Sequence, residues 1–142
     1  MATSSFSPIG VRKSIIKKFH FDPIETDGAP QAEFSIQTED KIIEDREDVL
    51  VRSCEITVVI TVESQKALEV VAYCETETHK TAFVEDDEAP SVSEIALFNT
   101  VSLTYSFLRV AVETTTRSFG IMLPMPTIDV HSVLEQDNCD ED

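Results

Sequence analysis

The clearest pattern along the chain is an alternation between Val51 and Glu63. Cys54, Ile56, Val58, Ile60 and Val62 fall on one side, and Ser53, Glu55, Thr57, Thr61 and Glu63 on the other. Successive side chains of a strand point to opposite faces, and the β-branched residues here suit a pleated, half-buried surface. The segment predicts an antiparallel strand with one face on a core. Past Ser64-Gln65-Lys66 the alternation resumes from Ala67 to Glu77, with Leu68, Val70, Ala72 and Cys74 inward and Glu69, Tyr73, Glu75 and Glu77 outward. A shorter strand after Thr78-His79, running to Val84, extends this into a meander. One face of such a sheet is apolar and the other acidic.

Upstream, the run SIIKKFHFD (14–22) places Ile15, Phe19 and Phe21 on one face and predicts a further strand. Residues 1–13 read as a loose N-terminal segment ahead of the domain. ETDGAPQA (25–32) is turn-rich, and a short alternating piece holding Phe34 and Ile36 follows before the charged segment EDKIIEDRED (39–48). Downstream of EDDEAP (85–90), Ser91 and Glu94 form a capping box that predicts a helix start. The interior pulls the other way, because Val101, Leu103, Tyr105 and Phe107 alternate with Ser102, Thr104 and Ser106. Pattern alone fits helix and strand equally there. Beyond Gly120 the apolar stretch IMLPMPTIDV cannot be one helix, since Pro124 and Pro126 remove donors and clash with preceding carbonyls.

Charge narrows the partners. The chain of 142 residues, the length of one domain, carries 27 acidic against 11 basic side chains, a net −16. That field repels phosphate backbones and anionic lipid and attracts basic segments, so nucleic acid and membrane surfaces are poor partners. The N-terminus MATSSFSPIGVRKSIIKKF has no signal-peptide core, and apolar runs such as Val58-Val59-Ile60 fall far short of a membrane span. Cys54, Cys74 and Cys139 have no metal or redox spacing and read as reduced thiols of a cytoplasmic protein, with a Cys54–Cys74 bridge across paired strands left open.

Catalytic chemistry has little support. His20, His79 and His131 lie in different elements without a metal-binding motif, and Gly10, Gly28 and Gly120 are too scattered for a phosphate-cradling loop. Cys74 stands beside Glu75 with no base to form a thiolate, and Glu85–Glu88 lacks the alternating ligands and central glycine of a calcium loop. The expectation is a protein that is not an enzyme and has neither cofactor nor metal.

The order of elements from Ser14 to Leu134 resembles the SecB family of export chaperones. The pieces that carry the likeness are Ala72-Tyr73-Cys74-Glu75 and Ile128-Asp129-Val130-His131-Ser132-Val133-Leu134, the latter similar to the signature before that family's last helix. Arg117 followed by Leu123 and a proline-containing link is similar to its helix–helix connection. Departures are Thr104-Tyr105 in place of the family's Pro-Tyr, the second proline one place early at Pro126, and Lys18 where the family carries an acidic residue.

The resemblance implies an α+β fold over 14–136, a four-stranded antiparallel sheet with two helices on one face, in a dimer-of-dimers assembly, ahead of an acidic disordered tail at 137–142. It resolves 91–116 as helix. It implies an ATP-independent holdase that takes unfolded preproteins into apolar grooves and hands them to a SecA-type translocation motor. The groove would draw on Phe34, Met122, Leu123, Met125, Ile128, Val130 and Leu134, and motor docking on Asp22, Tyr73 and Glu75. Residues alone leave two alternatives open: the link 121–134 can pack internally, and the outward acidic row can be a solvated face. Rival functions are a SecB-like chaperone dedicated to the antitoxin of a toxin–antitoxin system, or a non-chaperone acidic adaptor or scaffold.

Overall fold

The computed structural model describes residues 9–22, 32–80, 91–120, 125 and 130. Within them the chain runs through four strands, β1 (Ile9–Phe21), β2 (Ala32–Asp45), β3 (Val49–Val62) and β4 (Gln65–His79), and then a helix, α1 (Val92–Ser118). The strands form one antiparallel sheet in the order β1-β4-β3-β2, so β1 and β2 are its edges.

The alternation read for β3 and β4 is the alternation found. Ile56, Val58, Leu68, Val70 and Ala72 are fully covered, and each fully buried aliphatic side chain contributes about 1.5–3 kcal/mol of transfer free energy. Cys54 and Cys74 face each other directly across the two strands, both buried and both as thiols. The hairpin between them turns on Glu63 and Ser64, at φ 52° and 67°, flanked by the pair Val62 and Gln65. Two successive positive φ values are the signature of the hairpin turn whose twist matches the strands.

Three expectations change at the sheet margins. β1 starts at Ile9, so residues 9–13, set apart as an N-terminal segment, belong to the sheet. The charged stretch 39–45 is not a break: it continues β2, whose charged side chains suit an edge strand exposed to water. Thr78 and His79 are not a turn either, since β4 runs through them, and the strand expected beyond them lies outside the described residues.

Irregularities in β1 re-aim its side chains. Register shifts between Val11 and Lys13 and between Ile16 and Lys18 each add one residue, which moves every following side chain to the other face. Ile15 therefore stands outward opposite Tyr73, while Ile16, Phe19 and Phe21 pack inward on the core. A period of two carried straight through SIIKKFHF places Ile15 with Phe19 and Phe21, and the shift at Lys17 is why that is incorrect.

α1 resolves the ambiguous stretch as helix. The Ser91 hydroxyl caps it by accepting from the Glu94 N–H at 3.2 Å. At the other end Gly120, at φ +77°, donates to the Arg117 carbonyl at 2.9 Å and closes the last turn. Its buried stripe of Ala96, Val101, Tyr105, Leu108 and Val112 lies on β3 and β4. Threonine is a poor interior helix residue, yet Thr100, Thr104 and Thr116 return their hydroxyls to the carbonyls of Ala96, Thr100 and Val112, and Thr100 also meets Thr76 of the sheet at 2.6 Å. The helix is long and apolar enough to cross a membrane by length and composition; in this fold its covered stripe is the roof of the sheet. The second helix expected on the same face falls outside the described residues.

Candidate polypeptide-binding surfaces

The inner face of the sheet is covered unequally. α1 sits over β3 and β4 and reaches β1, where Phe21 meets Phe119 at a ring separation of 5.9 Å, but it does not extend over β2. Register places Phe34, Ile36, Thr38, Asp40 and Ile42 on the inward side of β2, opposite Ile60, Val58, Ile56, Cys54 and Arg52. Phe34 is 38% exposed and Ile42 51%, with Ile36 half-buried between them on the core. The result is a ledge beside the helix that is apolar at Phe34 and Ile36, where it meets the core, and is interrupted by Thr38 and Asp40 before Ile42.

Of the residues proposed for the groove, Phe34 lies on this ledge. Met125 and Val130 are buried in the core cluster with Ile56, Val58 and Leu108. Met122, Leu123, Ile128 and Leu134 lie outside the described residues. Sequence reasoning missed Ile42, because the surrounding charges hid the inward parity of β2; the signal available was its even-numbered spacing from Phe34 and Ile36.

Beneath the start of α1 the inner face turns polar. Arg52 is buried, gives one nitrogen to Asp40 of β2 at 2.7 Å and another to the Ser93 hydroxyl of α1 at 2.9 Å, and ties the edge strand to the helix. Among the described residues its Nε has no hydrogen-bond partner. A buried guanidinium is tolerable only when its charge is paired, and here the carboxylate of Asp40 does that.

The outer face carries two of the residues expected to dock a motor, Tyr73 and Glu75. The Tyr73 hydroxyl donates to Glu75 at 2.7 Å, and that bond to a carboxylate, reinforced by burial, raises the phenol above its ordinary value. Asp22 is elsewhere, just past β1, where its N–H bonds the Ala67 carbonyl at 2.8 Å. At about 3.4 Å per residue that is roughly 20 Å along β4 from Tyr73. The row is also less acidic than its sequence. Lys17 bridges Glu55 at 3.3 Å and lies 4.7 Å over the Tyr73 ring, and Lys18 bridges Glu69 at 2.9 Å. Lys66 reaches Glu69 as well, and these lysine hydrogen bonds pull its carboxyl from 4.5 to about 2.

No protein-family model matches the sequence, and no characterised protein matches it by sequence. Solved structures do match the fold. The SecB-like chaperone Rv1957 of Mycobacterium tuberculosis, solved with a ChAD peptide from the antitoxin HigA1, aligns with a TM-score of 0.55 at 14% identity over 85% of this chain and 91% of that one. A Streptococcus agalactiae protein of unknown function aligns at 0.52 and 12% identity over 85% and 96%. At such identities the likeness is one of fold. The chain has a SecB-like fold, with a four-stranded antiparallel sheet and a helix across one face.

Proposed function

We propose that the protein is an ATP-independent holdase of the cytoplasm, with no catalytic activity, that binds unfolded segments of other polypeptides on the inner-face ledge of β2. The observation that carries this is the exposure of Phe34 and Ile42 on β2, an edge strand of the sheet. Apolar client side chains gain about 25 cal/mol per Å² buried against the ledge, and an extended client can add main-chain hydrogen bonds at the edge. The fold likeness to a chaperone that holds an antitoxin peptide supports the same reading.

Two clients fit. A dedicated antitoxin is one, on the strength of that likeness; unfolded preproteins bound for a SecA-type motor are the other. Delivery through Asp22, Tyr73 and Glu75 would need a cationic partner to displace or bypass Lys17 and Lys18. α1 also leaves Leu103 and Val110 exposed, at 37% and 61%, and packing of copies on this face would supply one of the two interfaces that a dimer of dimers needs.

The test is suppression of aggregation of a chemically unfolded, unrelated protein, with mass by light scattering. Phe34→Asp is expected to abolish suppression while the circular dichroism and oligomer mass stay as in wild type. Full suppression by that variant sinks the ledge. Suppression confined to one antitoxin, with no effect on unrelated clients, assigns the dedicated role.

A further inference from the structure

Two nucleophilic side chains of the inner face take no part in holding a polypeptide on the ledge. Cys54 of β3 and Cys74 of β4 stand directly opposite one another in the antiparallel ladder, and both belong to the core, 0% and 1% exposed. Directly opposed residues of such a ladder have Cα atoms about 4.5 or 5.5 Å apart, according to whether the pair is hydrogen-bonded. A disulfide spans Cα separations of about 4.4–6.8 Å, so either kind of pair can be bridged without moving the backbone.

The surroundings say which thiol meets a reagent first. Register sets Ser14, Cys74, Cys54 and Asp40 in one inward row across the four strands. The Cys74 thiol donates to the Ser14 hydroxyl of β1 at 3.5 Å. A hydroxyl both accepts and donates, so Ser14 can turn to donate to a Cys74 thiolate once the proton leaves. Ser14 lies in the run 13–16, which has a register shift on each side, and β1 is an edge strand. Bulges leave residues out of the ladder, and a short run between two of them opens at far lower cost than the whole domain. Cys74 is reached when that run lifts.

We propose that Cys54 and Cys74 form a redox site that exchanges with a low-molecular-weight disulfide of the glutathione type and closes a bridge between β3 and β4. The Cys74 thiolate attacks the small disulfide, giving a mixed disulfide and one released thiol. The Cys54 thiolate then attacks the Cys74 sulfur and expels the second thiol. Two electrons and the two thiol protons of the protein pass to the small disulfide, which leaves as two thiols. Cys54 is already in place, so the second step is intramolecular and the mixed disulfide does not accumulate. Disulfides of cytosolic proteins are mostly transient and redox-sensing, and the bridge would form only when the surrounding thiol pool is oxidised. The site is independent of the holdase reading and of the β2 ledge.

The test uses the full chain carrying Cys139→Ser, which leaves Cys54 and Cys74 as its only cysteines. It is incubated with glutathione disulfide, quenched in acid, then unfolded in iodoacetamide and weighed by mass spectrometry. A loss of two hydrogen masses is expected, with no alkylation and full reversal by dithiothreitol. The oxidised chain should show slower amide exchange across β3 and β4 and a higher urea midpoint, because the bridge restricts the unfolded chain. Cys54→Ala in the same background should stop at the glutathione adduct, and Cys74→Ala should form that adduct more slowly. Two alkylated cysteines after incubation, an adduct of the two-cysteine chain that never resolves, or a bridge between chains would each overturn the site. So would faster adduct formation by Cys74→Ala than by Cys54→Ala, which would put the first attack on the wrong thiol.

Discussion

The two faces of one sheet obey different rules. The inner face is built from side chains that have nowhere else to go: Ile56, Val58, Leu68 and Val70 meet Leu108 and Val112 of α1, and any change in volume is felt. The outer face is built from pairs that water could replace, such as Lys18 with Glu69 and Tyr73 with Glu75. The inner face fixes the fold, and the outer face is free to choose partners. Where the inner face runs out from under α1, at β2, it takes on the second role with the materials of the first.

The sharpest break of this comparison is a pair of truncations on opposite sides. Leu108→Ala removes a fully buried side chain from the core, and a loss of about 2–5 kcal/mol is expected from transfer plus cavity terms. Thr57→Ala, on the half-buried outer row of β3, should cost under about 1 kcal/mol. Urea denaturation with unchanged m-values measures both. Comparable losses would mean that the outer face is also covered in solution.

Next comes the polar end of the inner face. Arg52→Ala strands Asp40 and the Ser93 hydroxyl, and about 1–3 kcal/mol should be lost, less than for a fully buried pair because Asp40 is partly exposed. The paired change Arg52→Met with Asp40→Leu should recover most of that loss. If the double variant is no better than the single, the pair is not what the buried guanidinium depends on.

How much of this was legible follows from which rule governed each segment. β3 and β4 were readable because each has one buried face, which makes period two obligatory. The helix start was readable from Ser91 and Glu94, and its interior was not, because threonines that satisfy their hydroxyls on the preceding turn mimic strand composition. β1 was misread at Ile15 because no residue type announces a bulge. β2 was cut short because an edge strand tolerates the charges that otherwise signal a loop. At the candidate site Phe34 was named through the resemblance to the SecB family, and its parity with Ile36 places it on the inward side of β2.

A smaller effect probes the hairpin turn that joins β3 to β4. Glu63 and Ser64 both sit at positive φ, where a side chain is disfavoured. Ser64→Gly relieves that strain but loosens the unfolded chain, for a net gain of about 0.5 kcal/mol seen as a slightly higher urea midpoint. Ser64→Val should lower it, since a β-branched residue tolerates that region least.

The smallest expected effect tests whether the outer pairs respond to pH as the covered core does not. Glu69 titrates near 2 instead of 4.5 because Lys18 and Lys66 both hydrogen-bond its ionised form. The folded state therefore holds the proton less tightly than the unfolded chain does. Stability from this group is fully present above the unfolded value of 4.5 and is lost as pH falls towards 2. Wild type and Glu69→Gln, compared by urea midpoint, should differ slightly at neutral pH and converge as pH falls through that window. Lys18→Met should move the Glu69 carboxyl back towards its ordinary value in an NMR titration while leaving the Leu108 and Val112 methyl signals in place. A carboxyl that stays near 2 without Lys18 would mean that Lys66 alone holds it, and that the shift in β1 which turns Lys18 outward has no electrostatic consequence on this face.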